Sequence, residues 1–461
     1  LGPAVTTTDN NSYSHNYGVE SYLARINYGF KSRYYIDASW RTDGSSRFHP
    51  SDRWGHFWSV GASWRISEEQ FMENTRQWLD NLTLKVSYGV QGNDNLGTYY
   101  AWQGLYDYTW PNATDAGAFV DKLENRKVTW EKNGNLNAGI EATMFGGRLG
   151  VSVEYYNRKT RDMLLNSPLP ISTGFTGFND NVGSLRNQGL EVSLRGTILD
   201  TRDFRWDATL MGSFNRNKVL SLTGGQDVIT SGIRVIEVGR PIYTFYLPKT
   251  AGVDPATGKQ LYYAYWTQTV NDEGALVNTR CDEYITDNVA MATLSKYYHE
   301  SREPKLFGSI GSTFTILKNI DVSFLTTYSI GGWVYDGLYN GSMYVQYAGN
   351  NWHKNAKRRW QKPGDKTDVP MLEVGGSYAT ASNSLIDASY FAIKNITVGY
   401  TLPKRWLKKI DIESLRIYAT LDNIAMFNHM DGMDPQYNFT GSVAYSYTPS
   451  RVIAFGIDLN F

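Results

Sequence analysis

The chain has 461 residues, and its 45 basic and 45 acidic side chains cancel. That balance excludes the electrostatic footprint of a nucleic-acid binder and of a basic membrane-surface patch. Hydrophobic residues make up only 41% while aromatics reach 14%, with 33 Tyr and 14 Trp, a mixture that points to β structure and half-wet interfaces.

The single cysteine, Cys281, excludes an internal disulfide framework and a Cys-based zinc cluster. Six His residues show no HExxH or comparable spacing, so neither a metal nor a cofactor is expected. No run approaches the roughly 18 to 20 apolar residues of a transmembrane helix. The opening LGPAVTTTDNNSYSHN lacks the basic and apolar segments of a signal peptide. Any crossing of a membrane must therefore be made by strands.

Thirteen strands are predicted from period-two alternation. The first four run over Val19 to Phe30, Arg33 to Asp43, Trp54 to Ile66 and Asn81 to Gln91. In the last of these, Leu82, Leu84, Val86, Tyr88 and Val90 oppose Thr83, Lys85, Ser87, Gly89 and Gln91. Next come Asn133 to Phe145, Arg148 to Lys159, Arg186 to Ile198 and Asp203 to Asn217. In Gly189 to Gly196, Leu190, Val192 and Leu194 oppose Glu191, Ser193 and Arg195. Leu306 to Leu317, Asn319 to Gly331, Ser389 to Leu402, Glu413 to Ile424 and Ser450 to Phe461 complete the set. The final strand is the clearest, with Ile453, Phe455, Ile457, Leu459 and Phe461 on one side and Ala454, Gly456, Asp458 and Asn460 on the other.

Connections alternate between short and long. Lys31 to Ser32, Gly146 to Gly147 and Lys318 are tight turns, whereas Gly92 to Lys132, Thr160 to Leu185, Lys218 to Lys305 and Gly332 to Ala388 are long. With a further long loop near 425–449, this is the asymmetry of an outer-membrane barrel, short turns inside the periplasm and long loops outside. The fold class is thus all-β, a transmembrane antiparallel barrel forming a single domain over 1–461. Polar side chains such as Arg25, Asn27, Asp37, Arg41, Glu154, Glu191 and Arg195 are expected to face its wet interior. Barrels of this kind have an even strand number with both ends in the periplasm. Thirteen strands would start the first one outside the cell, in a loop formed by Leu1 to Gly18, so further strands are expected upstream.

Several longer strings add a resemblance. SYLARINYGFKSRYYIDASWRTDGSSRFHPSDRWGHFWSVGASWRISEEQFM from Ser21 and LTLKVSYGVQGNDNLG from Leu82 are similar to the barrel of SusC/RagA-like TonB-dependent transporters of Bacteroidetes. So are AGVDPATGKQLYY from Ala251, RRWQKPGDKTDVP from Arg358 and YFAIKNITVGYTLPKRWLKK from Tyr390. LRIYATLDNIAMF, GMDPQ and the terminal strand follow in the family's order. The resemblance implies a 22-stranded outer-membrane barrel, of which this chain lacks the N-terminal plug, the TonB box and the early strands. It also implies a SusD-like lipoprotein lid over the loops, energy from TonB through the missing part, and an oligosaccharide or, less often, a peptide as cargo.

No enzyme constellation is present, so no catalytic residue is assigned. The Asn93 to Asn95, Asp254-Pro255 and Asp434-Pro435 steps lack the spaced oxygen ligands of an EF-hand and are expected to be turns. Trp102, Tyr106, Trp110, Trp266, Tyr344, Tyr347 and Trp352 lie in the long loops amid amides. Flat rings flanked by amides suit sugar faces, so these seven are the candidate substrate-binding residues. Terminal Phe461 resembles the signal read by the outer-membrane assembly machinery. The expected function is TonB-dependent import of a bulky oligosaccharide, with oligopeptide import as the alternative and a passive porin as a third reading.

Overall fold

The computed structural model describes residues 14–107, 117–222, 227–343, 349, 351–373, 376, 378–407, 412–430, 432–436, 440–443 and 447–461. Its main feature is one 13-stranded antiparallel sheet in which each strand pairs with its predecessor and successor. In chain order the strands are β1 (Val19–Phe30), β2 (Tyr34–Ser45), β3 (Trp54–Arg65), β4 (Leu79–Asn93), β5 (Glu131–Met144), β6 (Leu149–Arg161) and β7 (Ser184–Asp200). They continue as β8 (Phe204–Ser221), β9 (Leu306–Ile316), β10 (Ile320–Ile330), β11 (Tyr390–Thr401), β12 (Ser414–Asn428) and β13 (Val452–Asn460). Every segment predicted from alternation is a strand. The main differences are extensions at the long-loop end, where β8 continues to Ser221 and β12 to Asn428. Among the described residues, β1 and β13 are the two edges of the sheet and have no strand on their outer sides.

Tight turns join the strands at one end. Lys31 and Ser32 sit at φ 51° and 53°, and Leu317 and Lys318 at 51° and 64°. Arg33 N–H donates to Phe30 O at 3.0 Å, and Asn319 N–H to Ile316 O at 3.2 Å. Two central residues with positive φ closed by such a bond make a type I′ turn, whose twist matches that of the strands it joins.

The register converts sequence alternation into two chemically distinct faces. Ile36, Ala62, Val86, Ala138, Tyr155, Leu190 and Phe214 stand side by side in one row across β2 to β8. One residue further along each strand, on the opposite face, the row reads Asp37, Gly61, Ser87, Asn137, Tyr156, Gly189 and Asn215 in the direction the pairing dictates. Among the described residues no second layer covers the apolar rows: Ile36 is 53% exposed and Phe455 82%. Aromatic ladders flank them. Phe30, Tyr34 and Trp64 stack near the short turns, and Trp58 meets Tyr88 toward the long loops. This is an apolar belt between interfacial girdles, the outer surface of a membrane barrel.

The predicted loop Lys218 to Lys305 is not structureless. Val228–Ser231, Arg234–Glu237, Thr244–Val253, Gln260–Val270, Leu276–Thr286 and Lys296–Ser301 form a six-stranded sheet above the mouth. It has its own core, completed by another loop. Phe245 and Leu247 pack with Tyr335 and Leu385, and Tyr262 with Ala292, Ala379 and Ala381. A second tie joins the same two loops. Trp360 Nε1 donates to Pro255 O at 2.9 Å, and Gly364 and Met371 N–H groups bond to Pro255 and Gly258 carbonyls. Gly258, at φ +75°, leaves room for the Trp360 ring, which a Cβ there would meet at 2.4 Å.

Candidate functional site

Asp254-Pro255 and Asp434-Pro435 open turns as expected, whereas Asn93 ends β4 and Asp94 and Asn95 follow it outside any turn. Asp254 Oδ1 accepts from Ala256 N–H at 2.9 Å and its Oδ2 from the Thr257 hydroxyl at 2.6 Å. Those bonds, Thr257 first, hold its carboxyl below the usual carboxylate range. Asp434 Oδ1 accepts from Gln436 N–H at 2.8 Å. Asn93 Oδ1 accepts from Asn95 N–H, while Asp94 takes the Tyr17 and Ser45 hydroxyls.

Of the seven candidate rings, the four among the described residues, Trp102, Tyr106, Trp266 and Trp352, lie in separate places. Trp102 packs against the cluster of Phe48, Phe57, Ala101, Val128 and Trp130, with His49 edge-on at 5.0 Å. It joins the Ser46–Arg53 stretch to the loop that follows β4. Tyr106 is 59% exposed on the short strand Leu105–Asp107, and Trp352 is 41% exposed. Trp266 is half-buried in the strand Gln260–Val270, its carbonyl accepting from the Tyr284 hydroxyl at 2.9 Å. Trp110, Tyr344 and Tyr347 lie outside the described residues. Phe461 follows β13 and is 86% exposed.

Convergence occurs elsewhere, on the polar face at the outer ends of β7 to β11. A recess of about 530 Å³ is lined there by Asn187, Asn215, Asn217, Tyr243, Arg302, Glu303, Phe307, Tyr390 and Gln436, among others. Its construction follows from the register. Asn187 is the cross-strand partner of Asn217, so the two amides share a face and Asn217 Nδ2 donates to Asn187 Oδ1 at 2.7 Å. Pairing of β8 with β9 stops at Ser213 and Phe307, leaving the rest of β8 without that neighbour. Glu303 substitutes for it. One carboxylate oxygen accepts from Asn217 N–H at 3.1 Å, the other from Asn215 Nδ2 at 3.3 Å. Burial pushes the Glu303 carboxyl above its ordinary range, against the Asn217 hydrogen bond. Asn217 Oδ1 accepts from Ile242 N–H at 2.8 Å, which anchors the loop sheet to the wall.

Arg302 lines the same recess and reaches a third loop. Its Nη2 donates to Pro435 O at 2.7 Å, and its stem lies close against Gly441. Sequence reading missed this site because its Asn amides sit on two neighbouring strands, Asn187 and Asn217 being 30 positions apart, its Gln436 amide comes from a distant loop, and none is flanked by a motif. The available signal was the run of Asn at 187, 215 and 217 on inward positions near strand ends.

A single meander with an apolar belt outside, a polar face inside and long loops at one end defines the wall of an outer-membrane β-barrel. The chain belongs to the TonB dependent receptor-like, beta-barrel family, whose model matches residues 1–424. It is SusC-like: the TonB-dependent receptor SusC of Bacteroides thetaiotaomicron is 29% identical over 456 residues, covering 96% of this chain and 43% of that protein. TonB-dependent receptor P26 of Formosa agariphila is 29% identical over 476 residues, covering 96% of this chain and 46% of the other. Among solved structures, the RagAB peptide transporter matches with a TM-score of 0.83 at 30% identity, covering 96% of this chain and 48% of that one. The chain thus spans a little under half the length of the curated relatives it matches. Its place is the bacterial outer membrane. No helix among the described residues is long and apolar enough to cross a membrane; the strands do so.

Proposed function

We propose that this chain forms the C-terminal part of the wall and mouth of an active importer that draws a bulky oligosaccharide across the outer membrane. The supporting observation is the recess on the polar face, where Tyr243, Phe307 and Tyr390 rings meet the Asn187, Asn215 and Gln436 amides. Rings take the apolar C–H faces of a pyranose while amides take its hydroxyls. A plug and the contact with TonB would come from outside this chain, and a SusD-like lipoprotein would sit over the loop sheet. Of the loop rings, exposed Tyr106 and Trp352 are assigned to first contact with cargo. No step is covalent; gating and energy coupling are conformational.

A second reading, import of oligopeptides, is favoured by the likeness to the RagAB peptide transporter. The two separate in a growth test. A strain lacking this transporter is expected to lose growth on purified oligosaccharides but not on oligopeptides, and loss of TonB should reproduce the defect. Loss on peptides alone would establish the second reading, and uptake that survives without TonB would point to a passive pore. Phe461 is assigned to recognition during assembly; deleting it should lower the amount of protein in the outer membrane, and an unchanged amount removes that role.

A further inference from the structure

Two charged side chains of opposite sign face the recess, and neither has an ion-pair partner among the described residues. A guanidinium carries five N–H donors in a planar fork suited to a carboxylate. Arg302 spends one terminal nitrogen on Pro435 O. Its Nε is buried and has no hydrogen-bond partner among the described residues, and no described carboxylate lies within ion-pair distance. A cation withdrawn from water without a counter-charge is costly. The Gly441 and Pro435 contacts hold it in place despite this.

Glu303 presents the opposite chemistry. Each of its oxygens accepts one N–H, from Asn215 and Asn217, and each retains a lone pair for a further donor. Asn187 uses its oxygen on Asn217 and keeps its N–H₂ for another partner. The rings of Phe307 and Tyr390 stand on the same face, for Phe307 is opposite Ser329 and Ser329 opposite Tyr390 in the register. The recess thus offers a fork for a carboxylate, an acceptor for hydroxyls, an amide donor and apolar rings.

We propose that the recess is a subsite for a uronic-acid residue of the cargo, with the carboxylate taken by Arg302, ring hydroxyls by Glu303 and Asn187, and the sugar face by Phe307 and Tyr390. This rests on the oligosaccharide reading above and narrows it to acidic glycans. A neutral sugar would satisfy Glu303 and Asn187 and leave the guanidinium unmatched. An acidic peptide would match Arg302 but bring few hydroxyl donors for Glu303.

The test uses the full-length transporter purified together with its lipoprotein. Binding is measured by calorimetry for a panel of oligouronates built from galacturonate, glucuronate or mannuronate, for their methyl esters, and for acidic peptides of matched charge. At least one oligouronate is expected to bind tenfold or more tightly than its ester. Arg302→Gln should abolish that preference while leaving affinity for the ester within about twofold. Because Arg302 also holds Pro435, Asn187→Ala provides an independent probe, expected to weaken acid and ester forms alike. Equal binding of acid and ester, or a preference that survives Arg302→Gln, overturns the subsite while the oligosaccharide reading stands. Binding of peptides alone overturns both, as does failure of every probe to bind.

Discussion

The barrel wall and the loop sheet above it are both antiparallel and both alternate, yet they stabilise themselves in opposite ways. The loop sheet hides the side chains of its core, with Phe245 0% exposed and Leu247 and Tyr262 1%, while Val270 and Leu276 at its far turn stay exposed. In the wall, Ile26 is 71% exposed and Ile140 48%. The loop sheet builds a protein core with the Tyr335 and Ala379 segments of a neighbouring loop; the wall leaves that role to hydrocarbon. Similar alternation therefore encodes two solvents, and only the partner of the apolar face tells them apart.

The largest effect is expected where protein is the only filler. Phe245→Ala should leave a cavity and cost the loop sheet about 3–5 kcal/mol, read as faster hydrogen exchange across 244–301 with the wall unaffected. Exchange that accelerates equally in the wall would mean the two regions are not separate in stability. Next comes the lipid side. Leu194 shares a row with Leu210 and Val151, and Leu194→Arg should cost about 2–4 kcal/mol near mid-membrane. Ser193→Arg, one residue away on the polar face, should cost little, as measured by refolding into vesicles. Equal costs would erase the distinction between faces.

A smaller effect is expected at Gly258, where a methyl group must both adopt φ +75° and displace Trp360. Gly258→Ala should cost about 1–2 kcal/mol and open the 354–371 segment to protease; unchanged resistance would show that the two loops do not depend on this tie. Smallest is a pH response. Burial lowers the His299 pKa, Lys249 adding to the effect against the bond from His299 Nε2 to Leu247 O. The unfolded chain then takes up the proton first. The stabilising contribution is complete above the ordinary histidine value near 6.5 and is lost as pH falls through the lower folded value. Limited proteolysis of the loop sheet should accelerate from pH 7.5 to 5.5 in the native protein, and less so in His299→Gln. The same acceleration in both would assign it to another group.

The wall was legible because nine or more alternating residues leave no other geometry, and because each tight turn announces itself by spacing. The strand ends at the mouth were less so. Beyond the membrane the requirement for alternation lapses, yet β8 continues to Ser221 because β7 pairs with it to that point while Glu303, Gly239 and Arg240 replace β9 on the other side. The loop sheet was hidden in a stretch read as a long connection, since its core depends on contacts such as Tyr262 with Ala379, 117 positions away. Ring-rich loops could be seen, but not that Trp102 packs against His49. The recess needed the pairing of Asn187 with Asn217, and register is a property of two strands that one strand's pattern does not carry.

The shared core of the two long loops has a consequence for gating. Phe245, Leu247 and Tyr262 find their packing partners in Tyr335, Leu385 and Ala379 of the next loop, so displacing one loop at the mouth would carry the other with it.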